Sequence, residues 1–174
     1  MWSLVLSGAC FGLILYASTM VGLIIAKSYR DRPRQLQSLR TGIEMLVTEI
    51  VYAATPLSVA LENVSQSQAK PVAEFFALTG RGIAEFRPVR QSWATGLAYL
   101  QTSSALLWAD LEALRLLGEV LGVSNREDQE RHLLLACRRL EALYVNAVEE
   151  AARNERMWQF LGILIGVVVV IVIL

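Results

Sequence analysis

The hydrophobic pattern of the chain changes character twice. From Trp2 to Ala26, and again from Met157 to Leu174, no charged side chain occurs. A helix crosses a bilayer core with about 17–25 apolar residues, and a charge at its centre costs roughly 2.5–3.5 kcal/mol on insertion. Both runs are therefore expected to be transmembrane helices, 2–26 and 157–174. Between them, over 27–156, apolar residues recur at spacings of three and four, the signature of amphipathic helix. Leu36, Leu39, Ile43, Leu46, Val47 and Ile50 predict a helix reaching about Tyr52. It should restart at Arg32-Pro33, because proline is accepted in a first helical turn but not in an interior. Thr55-Pro56 opens a second helix with Leu57, Ala60, Leu61 and Val64 on its buried face. Pro71 leads a third, through Val72, Phe75, Phe76 and Leu78 to a stop at Thr79-Gly80, and Arg87-Pro88 opens a fourth with Val89, Trp93 and Leu97.

A stronger stripe, Leu107, Trp108, Leu111, Leu114, Leu117 and Leu121, predicts a fifth helix from Ser103 or Ser104 to Gly122. Ser124 and Glu127 stand at the spacing of a capping box. The sixth helix they open carries Leu133, Ala136, Cys137, Leu140, Tyr144, Ala147, Val148 and Ala151 on one face and meets no proline or glycine before Gly162. It is expected to run unbroken from Asn125 into the second span, about 75 Å at 1.5 Å per residue. No stretch alternates with period two. The fold class is all-α, a bundle of about six helices over 27–156 between two membrane helices. One echo is visible inside it: Pro56-Leu57-x-x-Ala60-Leu61 and Pro88-Val89-x-x-Ser92-Trp93 share a proline start and a small-then-large pair at an offset of 32. A duplicated helical hairpin and coincidence both fit it.

Charge placement sets the topology. Lys27, Arg30, Arg32, Arg34 and Arg40 follow the first span against a single Asp31, and Arg153 and Arg156 precede the second. By the positive-inside rule the central domain is cytoplasmic and both termini lie across the membrane. The start lacks a basic n-region and a small-residue cleavage site before Lys27, so the first span is read as a retained anchor rather than a signal peptide. Lys27, Arg30, Arg32 and Arg34 are expected to lie against anionic headgroups, an attraction of about 1 kcal/mol per base. Gly8-x-x-x-Gly12 and Gly162-x-x-x-Gly166 are small-residue repeats that pack the two spans together or mediate self-association, or are simply tolerated there.

The chemistry that remains is sparse. Sixteen basic residues balance sixteen acidic ones, leaving no nucleic-acid footprint. The single histidine, His132, has no second ligand at zinc spacing, and neither a phosphate-binding glycine loop nor a nucleophile signature occurs. Cys10 and Cys137 make no disulfide framework. An enzyme is not expected, nor a cofactor. Six acids, Asp110, Glu112, Glu119, Glu127, Asp128 and Glu130, crowd the segment around Gly118 and Gly122 against Arg115 and Arg126. They form either a solvated face or a corner where a basic cytoplasmic partner docks, since charge complementarity sets encounter rate and register.

Several runs of residues are familiar together. The stretch from Glu49 through Tyr52, Thr55, Pro56 and Leu57 to Leu61 resembles the stage III sporulation protein AB family, as does Arg32-Pro33-Arg34-Gln35-Leu36. So do Leu117 to Ser124, continued by Gln129, His132 and Leu133, and the closing Asn154-Glu155-Arg156-Met157-Trp158 with Leu161-Gly162. The resemblance implies a non-enzymatic platform component of the channel built during endospore formation, in the mother-cell membrane around the forespore. It implies a helical domain similar to those of type II secretion and type IV pilus platform proteins. The partners it implies are a cytoplasmic hexameric ATPase, stage III sporulation protein AA, and other membrane subunits of the channel. The alternative is a membrane-anchored adaptor that recruits one soluble partner. Ala53 departs from the glycine common after the tyrosine, and residues 80–104 match least. Glu49, Tyr52, Thr55, Pro56 and Leu57 read physically as a helix–turn–helix corner, because Pro56 disfavours helical geometry at Thr55; architecture is the simpler role for them.

Overall fold

The computed structural model describes the backbone of residues 2–122 and 125–173. It describes side chains from residue 16 to 157, apart from 18, 19, 123, 124, 126, 155 and 156, and that of Leu164. Six α-helices and no strand occur among these residues: α1 Trp2–Val47, α2 Leu57–Ser67, α3 Val72–Ala84, α4 Val89–Ser103, α5 Trp108–Gly118 and α6 Arg126–Ile173. A turn of π-helix, Thr48–Tyr52, ends α1. The predicted spans are therefore the outer stretches of α1 and α6 rather than separate helices.

Contacts divide the chain into two compact units, Met1–Asp31 with Ala147–Leu174, and Arg32–Asn146. In the first, Gly22 and Ala26 are buried while Tyr16, Met20, Val21, Leu23 and Ile24 are exposed. Among the described residues no helix is long and apolar enough to cross a membrane. Most side chains of 2–26 and 157–174 lie outside the description, and so do the surroundings of Gly8, Gly12, Gly162 and Gly166.

The second unit is the bundle. The expected restart at Arg32-Pro33 does not occur, and α1 passes straight through Pro33. A proline removes one backbone donor, and here that loss is outweighed by an uninterrupted stripe: Leu36, Leu39, Ile43 and Leu46 are all fully buried. Helices α2, α3, α4 and α5 then pack in chain order, each on the next. The centre is aromatic. Phe75 meets Phe76 at 4.9 Å and Trp93 edge-on at 5.0 Å, and the buried Trp93 indole N–H donates to the Leu114 carbonyl at 2.9 Å. Geometry of this kind adds to the area term because an aromatic edge is positive and a face negative. Gly118 lets this happen: a Cβ there would stand 2.2 Å from Trp93 Cδ1.

Three helix boundaries differ from expectation for local reasons. Helix α3 continues past Thr79-Gly80 to Ala84, because Gly80 and Gly82 bring its backbone against α2 and α4. Added Cβ atoms would lie 3.1 Å from the Ser58 carbonyl oxygen and 2.6 Å from Ser92 Oγ, respectively. Helix α5 starts at Trp108 rather than Ser103 and stops at Gly118 rather than Gly122, with Leu107 and Trp108 on its exposed side. At the start of α6, Asn125 is the cap, its side-chain oxygen accepting the Asp128 N–H at 2.8 Å. Ser124, the expected cap, lies outside the described residues.

The sequence echo corresponds to a repeated turn. Among the described residues, Ala54 and Phe86, 32 positions apart, are the non-glycine residues with positive φ, 53° and 62°. Two residues on, Pro56 (φ −55°, ψ 139°) and Pro88 (φ −54°, ψ 138°) open α2 and α4 in the same conformation. The pairs Ala60, Leu61 and Ser92, Trp93 are buried at equivalent places. The N–H of Arg87 reaches back five residues to the Gly82 carbonyl, whereas that of Thr55 reaches back six, to Glu49. The π-turn is the difference: it inserts one residue ahead of the first turn.

Candidate interaction surface

The bundle has two unlike ends. At the stem end, where α1 and α6 leave the unit, Arg32 is buried and grips Asp110. Its Nε donates to Oδ2 at 2.8 Å and Nη2 to Oδ1 at 3.0 Å, and Asp110 is 0% exposed. The same Oδ2 accepts the Leu107 N–H at 2.8 Å, which starts α5. Nearby, Gln35 accepts the Ala105 N–H and the Ser38 hydroxyl donates to the Gln68 side-chain oxygen. Two expectations are corrected here. Arg32 does not face a headgroup layer and Asp110 does not belong to an acidic surface, because each neutralises the other inside the protein. The sequence carried the signal: Arg32 stands in register with the apolar stripe of Leu36, Leu39, Ile43 and Leu46. A charge on a buried stripe needs a buried partner.

At the corner end lie the α1–α2 turn, the α3–α4 turn and the residues between α5 and α6. Glu49 organises the first. One carboxylate oxygen accepts the Thr55 hydroxyl at 2.6 Å and the other the Asn63 amide at 3.2 Å, so Glu49, Thr55 and the start of α2 are fixed together. Tyr52 is 75% exposed, Pro56 is exposed and Leu57 is half-buried. Five residues of the motif thus form one corner, with Glu49 inside it and the tyrosine presented outward.

The other acids separate into two groups. Glu112 is held twice by Arg115, at 2.8 Å from Nε and from Nη2, and the hydrogen bonds from that guanidinium hold its carboxyl below the usual carboxylate range. Arg115 also donates to Glu119 at 2.5 Å, and Arg90 lies 3.9 Å from the same carboxylate. Neither carboxylate is a bare negative charge. Glu127, Asp128 and Glu130 remain on the opening turns of α6, with Arg131 3.9 Å from Asp128. Acids there complement the positive helix terminus. Lys27, Arg30 and Arg34 are exposed, while Arg40 bridges Glu44 of its own helix and Glu141 of α6. Burial pushes the Cys137 thiol up to about 11. Among the described residues no group of three or more His, Cys, Asp or Glu is placed to hold a metal ion.

The sequence profile of the stage III sporulation protein AB family matches residues 7–174. The chain belongs to that family. Stage III sporulation protein AB of Bacillus subtilis (strain 168) is 33% identical over 170 residues, which cover 97% of this chain and 98% of its own. A solved structure of a stage III sporulation protein AB aligns with a TM-score of 0.66 at 30% identity, over 70% of this chain and 96% of that one. For this member of the stage III sporulation protein AB family, a role in sporulation and an all-helical bundle follow from these matches.

Proposed function

We propose that the chain is a non-catalytic platform in the membrane around the forespore, joining a cytoplasmic hexameric ATPase to the membrane subunits of a secretion-like channel. The observation that carries this reading is the order along the chain, in which a charged helical segment, 27–156, stands between two stretches, 2–26 and 157–174, where no charge falls until the chain's last residue. In this reading those stretches span the membrane, the basic residues beside them keep the bundle on the mother-cell side, and the termini face the opposite side. The bundle then offers its corner end, with Glu127, Asp128 and Glu130 on α6, to the cytoplasm.

Affinity capture of the full chain from sporulating cells in mild detergent tests the proposal. A platform recovers the ATPase, stage III sporulation protein AA, together with several membrane proteins. Charge reversal at Glu127, Asp128 and Glu130 lowers recovery of the ATPase while leaving the membrane proteins bound. Recovery of one soluble protein and no membrane subunit would instead establish an adaptor, and the platform would be wrong.

A further inference from the structure

Phe86 breaks two local rules at once. It is 98% exposed, and it holds φ at 62°, a left-handed conformation that favours glycine and strains an aromatic residue. A glycine would make the same turn without either penalty. The equivalent position in the first corner, Ala54, shows that the turn does not call for a large side chain. Violations of this kind persist where something outside the local fold compensates them.

Beside this knob lies a hole. Ser58, Val59 and Glu62 of α2 face Gly80, Arg81 and Ala84 of α3 across a groove of about 250 Å³. Its floor is apolar; Gly80 lies at its base, where the backbone of α3 closes on α2, and the small side chain of the exposed Ala84 leaves its rim open. Phe86 follows Ala84 by two residues, so its Cα lies within about 7 Å of that lining residue; at 98% exposure its ring does not fill the groove of its own chain. The charges match as well. The knob is flanked by Glu85 and Arg87, which pair with each other at 2.5 Å. The groove carries Glu62 and Arg81, the latter 2.8 Å from Glu74. Two copies placed face to face can exchange these exposed pairs, Arg87 to Glu62 and Glu85 to Arg81.

We propose that the α2–α3 groove receives Phe86 of a second copy of this chain. Knob and hole are neighbours on one surface, so a two-fold axis through it engages both at once, the self-complementary contact of a closed dimer. The inference concerns self-association and does not rest on the channel reading.

The test uses the full chain in membranes, light and heavy isotope-labelled copies mixed, with Phe86→p-benzoylphenylalanine as photo-crosslinker. A species of twice the monomer mass is expected, with light peptides joined to heavy ones at Val59 or Ala84. Phe86→Gly and, separately, Val59→Arg should each reduce the dimer fraction at least ten-fold. Under dilute monomeric conditions Phe86→Gly should also raise the thermal midpoint by about 2–4 °C, which separates lost docking from lost folding. No light–heavy link, a link outside the groove, or a link only to a different protein overturns the proposal.

Discussion

The stem end and the corner end of the bundle use the same residue types to opposite purpose. At the stem end an arginine and an aspartate are withdrawn from water and joined by two hydrogen bonds, 2.8 and 3.0 Å long. Along the exposed face of α5 leading to the corner end, Arg115 lies between Glu112 and Glu119 with all three side chains open to solvent. The stem end also ties α1 to both inter-helix turns through Gln35 and Ser38, whereas the corner end leaves Tyr52 and Phe86 uncovered. Charge thus fixes helix register at one end and stays available to solvent or partners at the other. What distinguishes the two is burial, since a pair in water gains little and an ion stranded inside costs several kcal/mol.

Breaking the stem pair should therefore have the largest effect. Asp110→Ala removes both carboxylate acceptors of the buried Arg32 guanidinium and the acceptor of the Leu107 N–H, and should destabilise the fold by about 3–5 kcal/mol. Chemical denaturation of the full chain in detergent measures it. The double replacement Arg32→Met with Asp110→Leu should recover most of that loss, because both charges then leave the interior together. If Asp110→Ala alone is neutral, the distinction between the two ends collapses.

The corner motif comes next. Glu49→Ala removes the acceptor for Thr55 and Asn63 at a half-buried site, and about 1–2 kcal/mol should be lost, with hydrogen bonds to a charged group as the source. Hydrogen exchange should rise first at Ala53 and Thr55, whose N–H groups bond back to Thr48 and Glu49, and only later in α3. A uniform rise across the bundle would show that Glu49 supports the whole unit rather than one turn.

Much of this was legible in the sequence. Proline starts located α2 and α4, and the three-four spacing found the stripes of α1 and α6, because each depends on neighbours within a turn or two of helix. The internal glycines of α3 misled, since a glycine at a close helix contact looks the same in sequence as a stop until the neighbour is known. Asp110 looks like a surface acid in sequence for a similar reason: its partner stands 78 residues away, and no local pattern joins them. Phe86 carries almost no local signal in the sequence beyond the offset of 32 that pairs it with Ala54.

Removing a defect sharpens the comparison from the other side. Ser92 stands where the first corner has Ala60, and its buried hydroxyl oxygen makes no hydrogen bond. Ser92→Ala should stabilise by about 1 kcal/mol, the cost of an unsatisfied buried polar group. A rise in the denaturation midpoint with an unchanged slope is the expected reading. Loss of stability would mean that the hydroxyl supports the approach of Gly82.

The smallest effect belongs to the exposed pair. At neutral pH Arg115→Ala should lower the denaturation midpoint only slightly, because solvent screens both charges. The carboxyl of Glu112 is nevertheless held below its ordinary value of 4.5 by the Arg115 hydrogen bonds. A lowered carboxylate favours the native state above that ordinary value and loses the advantage as the pH falls through the lowered one. Titration followed by carboxyl NMR should therefore show Glu112 ionising below 4.5 in the parent chain and returning toward it in Arg115→Ala. The stem pair offers no such separation, since removing either partner there disrupts the fold before a titration can be read. A pair that shifts ionisation at little cost in stability is what the exposed face of α5 should contain if its charges serve contacts made outside the chain.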